Sequence, residues 1–284
     1  MGKKKKQISK RKIVGDIVNG AALLLLIATS SIASQLVYEY NRYSPFFVSG
    51  DSMYPFFNAS ATRTNLSTGE KENNIDGSWG DYDEAGYSYT CDYGLLDCKD
   101  GFINRLERFD IVMSYFDDDY SLAGGALFDD DSHAAKIKRL YGFPGESLYF
   151  TDEGKLYIKE KGENEYRYFA QEQLLEQDGH LAETTFNVKY GSEENPVMLG
   201  EDEYFLVGDN RRSGRSNDSR YRGPIGRAHN LNPSYPSGSY FLRGKIIALT
   251  GKADLTIKYE NGKKVAESKL IYSSLLLPWD IKQI

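Results

Sequence analysis

The stretch Gly50-Asp51-Ser52-Met53-Tyr54-Pro55 is the point around which the rest of the chain is organised. A glycine, a serine and a proline so close together predict a turn, because glycine permits unusual backbone angles and proline interrupts regular secondary structure. Such a turn can hold one hydroxyl group out of a sheet. Its importance therefore depends on whether the chain also supplies a group that activates a nucleophile.

A serine nucleophile needs a base, and the chain offers histidines and lysines. We interpret the three histidines, His133, His180 and His229, as ordinary surface or loop residues. A lysine with the reference pKa near 10.4 is protonated at neutral pH. It acts as a base only where burial lowers that pKa. Lys136 and Lys138 lie two apart on a predicted strand and face the same side, so the pattern does not choose between them.

The composition predicts a mostly β protein. The chain has 284 residues, of which 22 are tyrosine and 27 are glycine, and this usage favours sheets and turns over helical bundles. Seven of the 35 basic residues lie in residues 1–12, so the remainder carries 28 basic against 41 acidic residues. An acidic body argues against a nucleic-acid partner, which requires a basic surface.

The N-terminus predicts a membrane segment. A basic tail, residues 1–12, leads into Ile17–Val37, which is 21 residues without a charge. A helix of that length spans roughly 30 Å, the thickness of one hydrocarbon core. We predict a single-pass plasma-membrane anchor at residues 13–38 with a cytoplasmic N-terminus and residues 39–284 outside. A cleavable signal peptide is the alternative, because the densest apolar run is only Ala21–Ala28.

Residues 39–284 are predicted to form one extracytoplasmic β domain. Residues 58–107 are polar and weakly periodic, and we predict that they form an inserted lobe. This stretch holds Cys91 and Cys98, for which a local disulfide is expected outside the cytoplasm. The acidic runs Asp117–Asp119 and Asp129–Asp131 are predicted to be solvated loop, since the spacing of a calcium-binding loop is absent.

The apolar pattern gives the regular elements of this domain. A short helix is predicted at Phe169–Gln177 and a turn at Asn261-Gly262. The predicted strands are Phe109–Phe116, Ala134–Leu140, Ser147–Phe150, Lys155–Ile158, Tyr204–Val207, Lys245–Leu249 and Leu255–Tyr259.

Four segments, taken in order, resemble the sequence boxes of the bacterial-type type I signal peptidases of peptidase family S26. They cover about a sixth of the chain, and a lysine rather than a histidine in the third box distinguishes the bacterial type from the endoplasmic-reticulum type. The segments are Ser52-Met53-Tyr54-Pro55, Phe109-Asp110-Ile111-Val112, Lys138–Glu146, and Gly208-Asp209-Asn210 with Ser216-Asn217-Asp218-Ser219-Arg220.

The resemblance implies a membrane-anchored serine–lysine endopeptidase that removes signal peptides after a small-x-small sequence, without a metal or organic cofactor. By motif position Ser52 is the nucleophile and Lys138 the general base. Ser216 matches the hydroxyl that orients the lysine, and Asp218 and Arg220 match residues that hold the site together.

The chain departs from the family pattern in four places. Phe56 follows Pro55 where the family usually has threonine. Gly50 stands where some members have a serine that donates to the oxyanion. Between Asn210 and Asp218 the chain is two residues longer than the usual spacing of the family. Ser213 is therefore an alternative to Ser216 as the residue that orients the lysine. Residues 58–107 replace a short link. Two alternative functions remain: a non-catalytic relative that assists assembly of surface proteins, and a self-cleaving serine–lysine peptidase, which would require an N-terminal DNA-binding domain.

Overall fold

The computed structural model describes residues 10–98, 101–114, 135–169, 188–212, 214–226, 242–273 and 282–283. The chain divides into two compact units, residues 1–44 and 45–284. The mostly β fold predicted from composition is confirmed, with one apolar N-terminal helix followed by a body built from strands.

The N-terminal helix α1 spans Lys10–Arg42. Its segment Val18–Gln35 has the length and composition needed to cross a membrane, and all of its side chains are exposed. Four consecutive leucines, Leu23–Leu26, are 58–70% exposed. Apolar side chains on every face are unfavourable in water and favourable in lipid. These properties fit a membrane-anchored protein, and signal sequences share them.

Strand β12 (Leu242–Glu260) connects most of the larger sheet, because it pairs with four other strands along its length. The order across this ten-stranded sheet is β11-β6-β5-β12-β4-β2-β3, while β1 also pairs with β4, and β13 and β14 with β12. Its members are β1 (Tyr43–Phe47), β2 (Thr62–Asn65), β3 (Lys71–Asn73), β4 (Tyr87–Asp97), β5 (Ile111–Ser114), β6 (Lys136–Gly142), β11 (Phe205–Val207), β12 (Leu242–Glu260), β13 (Lys263–Ser273) and β14 (Lys282–Gln283).

The smaller sheet has four strands in the order β10-β7-β8-β9. They are β7 (Ser147–Phe150), β8 (Leu156–Lys159), β9 (Arg167–Phe169) and β10 (Val197–Met198). An apolar cluster, which includes Leu148 and Phe150 of β7 and Phe205 and Val207 of β11, joins this sheet to the larger one. The core therefore continues from one sheet into the other.

Residues 58–107 contribute β2, β3 and β4 to the larger sheet. Strand β4 lies inside that sheet and pairs with β12 from Ser88 to Asp97. Tyr89 of this strand stacks face to face with Tyr82, with ring centroids 4.9 Å apart. The weak periodicity of this stretch concealed an 11-residue strand with the sequence YSYTCDYGLLD, in which polar residues and glycine interrupt the apolar pattern.

The expected Cys91–Cys98 disulfide is wrong, and both cysteines are free. Cys91 lies within β4, where its thiol donates to the carbonyl oxygen of Ala253. An extended chain rises about 3.3 Å per residue, so Cys98 is roughly 23 Å further along. A disulfide requires Cα atoms within about 7 Å of each other.

Most predicted strands occur in the structure with shifted ends. Ser147–Phe150 has the predicted bounds, whereas the two strands predicted at 245–249 and 255–259 are parts of the single strand β12. The turn at Asn261-Gly262 is present, with positive φ at both residues. The three histidines, both acidic runs and residues 170–177 of the predicted helix lie outside the described residues.

Candidate active site

The turn that carries Ser52 is built from local hydrogen bonds and a buried apolar base. Backbone N–H groups of Tyr54 and Phe57 donate to the carbonyls of Asp51 and Met53. The side chains of Met53 and Phe57 are fully buried, whereas Ser52 is only half-buried. The turn is therefore anchored by its buried Met53 and Phe57 side chains, while Ser52 stays partly accessible to solvent.

Asn58 ties the end of this turn back to the strand that enters it. Its Nδ2 donates to the carbonyl oxygens of Val48 and Gly50 at 2.8 and 2.9 Å, and its backbone N–H donates to Asp92 of β4. Asn58 has φ of 60°, a left-handed conformation that asparagine tolerates better than most residues. The turn is thus closed by a side chain suited to its backbone.

Strand β6 brings Lys138 to Ser52. Lys138 pairs with Val112 of β5 and is 2% exposed. Its Nζ lies 2.7 Å from Ser52 Oγ and 2.8 Å from the carbonyl oxygen of Ile137. Lys136 is half-buried near the start of the strand. Strand periodicity did not distinguish Lys136 from Lys138, and in the structure it is the Lys138 amine that lies within hydrogen-bond distance of Ser52.

Burial lowers the pKa of Lys138 from 10.5 to about 8. Removal of the ammonium from water is the largest cause, and the neighbouring charges act in both directions. Asp218 and Asp81 raise this pKa, whereas Lys136 and Arg220 lower it. With that pKa, about a tenth of the Lys138 amines are neutral at pH 7, and the fraction rises as the pH approaches 8. A neutral amine is able to accept a hydroxyl proton.

The loop after β11 packs directly against the Ser52 turn. The backbone N–H of Asn210 donates to the Ser52 carbonyl oxygen at 3.0 Å. At Gly208 an added Cβ would lie 2.5 Å from that same oxygen and would collide with Ser216 Oγ. Only glycine permits an approach this close, which explains the glycine of the Gly208-Asp209-Asn210 segment.

Asp218 and Arg220 form a buried, bidentate ion pair at the start of α2 (Ser219–Arg222). Arg220 Nε and Nη2 donate to the two carboxylate oxygens at 2.9 and 2.8 Å. The Ser216 hydroxyl and the Gly208 backbone N–H also donate to Asp218 Oδ2. Burial alone would raise the pKa of Asp218, but Arg220 and these hydrogen bonds outweigh it and hold the pKa below its ordinary value.

Six of the seven residues singled out from the sequence lie in this region, although not all are in direct contact: Gly50, Ser52, Lys138, Ser216, Asp218 and Arg220. Ser52 and Lys138 touch, whereas Ser216 bonds to Asp218, and the described hydrogen bonds of the Lys138 amine go to Ser52 and Ile137. Ser213, the rival of Ser216, lies outside the described residues. The lysine-orienting role of Ser216 stays a prediction.

Gly50 precedes the turn and faces a carboxylate. It forms an antiparallel bridge with Asp81, and a Cβ at Gly50 would lie 3.2 Å from Asp81 Oδ1. Asp81 itself is exposed. Gly50, which brings no donor hydroxyl, therefore has a carboxylate beside it, and this carboxylate raises the pKa of Lys138.

A second buried ion pair supports the site, and the motif reading did not predict it. Arg139 donates through Nε and Nη2 to Asp209 at 2.9 and 2.6 Å, and both side chains are 5% exposed. Arg139 follows Lys138 directly, so it lies on the opposite face of β6. The sequence offered two hints of this pair: Arg139 lies next to the predicted base, and Asp209 follows a glycine. Neither hint shows that the two side chains contact each other.

Chemically, the arrangement consists of a hydroxyl in contact with a buried amine, supported by two buried ion pairs. In the described part of the chain no group of three or more His, Cys, Asp or Glu side chains is placed to hold a metal. A half-buried hydroxyl beside an amine of lowered pKa is suited to nucleophilic attack with the amine as general base.

Comparison with known proteins shows the family to which the chain is similar. A family model described as signal peptidase, peptidase S26, matches residues 20–234, which is more than half of the chain. Signal peptidase I of Bacillus amyloliquefaciens is 34% identical over 84 residues, which is 30% of this chain and 40% of that protein.

Two further relatives are similar over longer stretches. Signal peptidase I V of Bacillus subtilis (strain 168) is 32% identical over 120 residues, 42% of this chain and 59% of the relative. Signal peptidase I of Bacillus licheniformis is 35% identical over 119 residues, 42% of this chain and 51% of the relative. The chain therefore spans about half the length of the curated relatives it matches.

Proposed function

The chain belongs to the signal peptidase family, peptidase S26, and on that premise we propose that it is a membrane-anchored serine endopeptidase that removes signal peptides from exported preproteins. Ser52 is the nucleophile, Lys138 is the general base, and cleavage follows a small-x-small sequence. The observation that carries this proposal is the 2.7 Å distance between Ser52 Oγ and Lys138 Nζ. The same distance favours an enzyme over a non-catalytic relative that assists surface-protein assembly.

The reaction begins with proton transfer between the two side chains. Neutral Lys138 takes the proton of the Ser52 hydroxyl, and the oxygen attacks the carbonyl carbon of the scissile bond. The tetrahedral intermediate collapses as the amine of the mature protein leaves with that proton. The signal peptide then remains attached to Ser52 as an ester.

Hydrolysis of this ester uses the same base. Lys138 takes a proton from an incoming water, the resulting hydroxide attacks the ester carbonyl, and the proton returns to Ser52 as the signal peptide leaves. Every proton in this cycle passes through one amine. The chemistry needs no metal and no organic cofactor.

The Ser52 backbone N–H supplies the stabilisation of the oxyanion. Among the described residues this group donates to no protein oxygen. A fixed donor at the place where negative charge develops typically contributes about 10²–10³-fold in rate. Gly50 brings no side-chain hydroxyl, so this backbone group carries that role with less help than in members that have a serine there.

The ion pairs act as supports rather than as reacting groups. Asp218 accepts from Gly208 and Ser216 and pairs with Arg220, so it links the loop after β11 to α2. Ser216 donates to Asp218 and thereby helps to position this carboxylate, whose charge acts on the Lys138 amine. These side chains hold the loop that packs on the Ser52 carbonyl.

The substrate binds as an extended strand along β6. Strand β11 pairs with β6 no further than Arg139, so in the described part of the chain the edge at Ile137 has no strand on that side. The other candidate edge, Ser49–Asp51, is already covered by Gly80–Tyr82. A peptide on the β6 edge would run past Lys138 and reach Ser52.

The enzyme works at the outer face of the plasma membrane, with the basic N-terminus in the cytoplasm. Only 15 residue steps lead from Val37 to Ser52, and a fully extended chain of that length reaches about 50 Å. This tether restricts cleavage to substrates held near the lipid surface. Signal peptides are themselves apolar and lie in the membrane, so anchoring brings enzyme and substrate to the same place.

We expect kcat/KM for precursor cleavage to rise with pH through about 8 and then to level off. The base acts only in its neutral form, and the pKa of Lys138 is about 8. Below that pH the rate falls about tenfold per pH unit. The measurement is initial cleavage rate at subsaturating precursor between pH 5 and 10. A flat profile over that range contradicts the role of Lys138.

Two variants provide opposite controls for that profile. Asp81→Asn removes a negative charge that raises the Lys138 pKa, so the midpoint moves to lower pH. Lys136→Met removes a positive charge that lowers it, so the midpoint moves to higher pH. Midpoints that stay fixed in both variants would show that another group titrates.

A further inference from the structure

The stretch Asn74–Tyr82, which we call the buttress segment, belongs to the residues between the first two sequence boxes. We propose that it is a positioning element for catalysis: Asn74, Gly80 and Tyr82 hold the Asp51 carboxylate and thereby fix the adjacent Ser52 hydroxyl against Lys138. This inference rests on the proposed function and adds residues outside the family boxes to the machinery of that site.

Within the described residues, the hydrogen bonds to the Asp51 side chain come from the buttress segment. Asn74 Nδ2 and the Tyr82 hydroxyl donate to Oδ1 at 2.6 and 2.8 Å, and the Gly80 backbone N–H donates to Oδ2 at 2.7 Å. Asp51 is 1% exposed. A buried carboxylate needs such donors, because water no longer solvates it. Three donors aimed at one carboxylate fix its position in space.

The backbone around Asp51 is held by the same segment. The Asp51 N–H donates to the Gly80 carbonyl at 3.1 Å, and the Tyr82 N–H donates to the Ser49 carbonyl at 3.3 Å. The buttress segment therefore pairs with the chain that enters the turn through an antiparallel bridge between Gly50 and Asp81. Ser52 follows Asp51 directly, so its Cα can move little while these bonds are in place.

The buttress segment also contacts the loop after β11. Asn210 Nδ2 donates to the carbonyl oxygens of both Asp51 and Gly77, at 3.0 and 3.1 Å. Arg212 donates to the carbonyl oxygen of Asp76. Two of the boxes that build the site, the Ser52 turn and the Gly208-Asp209-Asn210 loop, are thus joined through the same short segment.

The rest of the fold makes the buttress segment rigid. Tyr82 and Asn74 are 0% and 1% exposed, and Asn74 Nδ2 also donates to the Tyr82 hydroxyl. The Tyr82 ring stacks on Tyr89 of β4, at an interplanar angle of 8°, and Trp79 packs edge-on against both rings. The donors to Asp51 are therefore preorganised, and rigid support is what accurate placement of a reacting group requires.

The test compares two tyrosines of the same stacked pair. Tyr82→Phe removes a donor to Asp51, whereas Tyr89→Phe removes a buried hydroxyl that does not touch Asp51 and serves as the matched control. We expect Tyr82→Phe to lower kcat for cleavage of an Ala-x-Ala precursor about tenfold, with KM changed less than twofold and a melting temperature similar to that of Tyr89→Phe. Tyr89→Phe keeps wild-type kcat.

A double-mutant cycle identifies the route of the effect. In an Asp51→Asn background Tyr82→Phe is expected to cost less than twofold, because the carboxylate that it served is gone. Asn74→Ala removes a second donor and is expected to give the same kcat-specific loss, which covers the case in which Tyr82→Phe does not fold.

Three results would overturn the inference alone while the wild type cleaves normally: a kcat for both Tyr82→Phe and Asn74→Ala equal to that of Tyr89→Phe, a loss confined to KM, or losses that multiply fully with Asp51→Asn. A wild-type protein that cleaves no precursor overturns the proposed function, and this inference falls with it.

Discussion

Replacing Lys138 by methionine is expected to lower kcat for precursor cleavage by about 10²–10⁴-fold, the usual cost of losing a positioned general base. Methionine has nearly the length of lysine but no group that can take the Ser52 proton. The Lys138 amine has Ser52 Oγ 2.7 Å away and is buried, so bulk water has little access to replace it. The measurement is single-turnover cleavage of a purified precursor.

The same variant is expected to be more stable than the wild type at pH 7. The pKa of Lys138 is lower in the fold than in the unfolded chain, so the charged lysine destabilises the fold below about pH 8. This penalty fades as the pH rises from about 8 toward 10.5. Methionine removes it, and a higher melting temperature at pH 7 would show that the lost activity does not come from unfolding.

Lys136→Met is the matched control, because it removes the neighbouring lysine of the same strand. It should retain cleavage at pH 9, where Lys138 is neutral with or without it. Loss of activity in Lys136→Met with activity kept in Lys138→Met would transfer the base to the other lysine and contradict our assignment.

Asp218→Asn is expected to destabilise the protein by about 3–5 kcal/mol, the usual cost of removing one partner from a buried ion pair. Arg220 is 2% exposed and would keep its charge without a carboxylate. For a chain of this size each kcal/mol lowers the melting temperature by about 2–4 °C. Urea denaturation followed by circular dichroism measures the change, and precursor cleavage should fall with it because Asp218 also binds Gly208 and Ser216.

The pH dependence of this pair has a definite sign. The pKa of Asp218 is lowered in the fold, so its contribution to stability is complete above the unfolded pKa near 4 and is lost as the pH falls below it. The control is Glu72→Gln, which breaks the exposed pair with Arg63 and should cost less than about 1 kcal/mol. An Asp218→Asn variant as stable as Glu72→Gln would contradict the role of the buried pair.

The fold class and the segments that form the site were recognisable in the sequence because they depend on composition and on short local motifs. Ser52, Lys138 and Asp218 each lie in a short segment with turn residues or strand periodicity, and the structure brings these segments together. The choice between Lys136 and Lys138 was beyond the pattern, since both face the same side of a strand. It depends on which amine meets a hydroxyl 86 residues away in sequence.

The support of Asp51 was not visible in the sequence for the same reason. Asn74 and Tyr82 lie in a stretch whose polar residues resemble solvated loop, yet both are buried. Their role depends on hydrogen bonds to Asp51, which lies 23 and 31 residues earlier in the chain. Patterns within a short stretch of sequence do not reveal such contacts. The disulfide prediction failed because cysteine spacing says nothing about whether the intervening chain is extended, and here β4 separates the two thiols.

The most direct test of the account is cleavage of a model precursor with an Ala-x-Ala site by the detergent-solubilised full-length protein, compared with Ser52→Ala. We expect the wild type to release a mature protein whose N-terminal sequence begins immediately after the second alanine, and Ser52→Ala to leave the precursor intact. A wild type that cleaves no such precursor, or a Ser52→Ala variant that cleaves at the wild-type rate, would contradict the assignment of a Ser52–Lys138 signal peptidase.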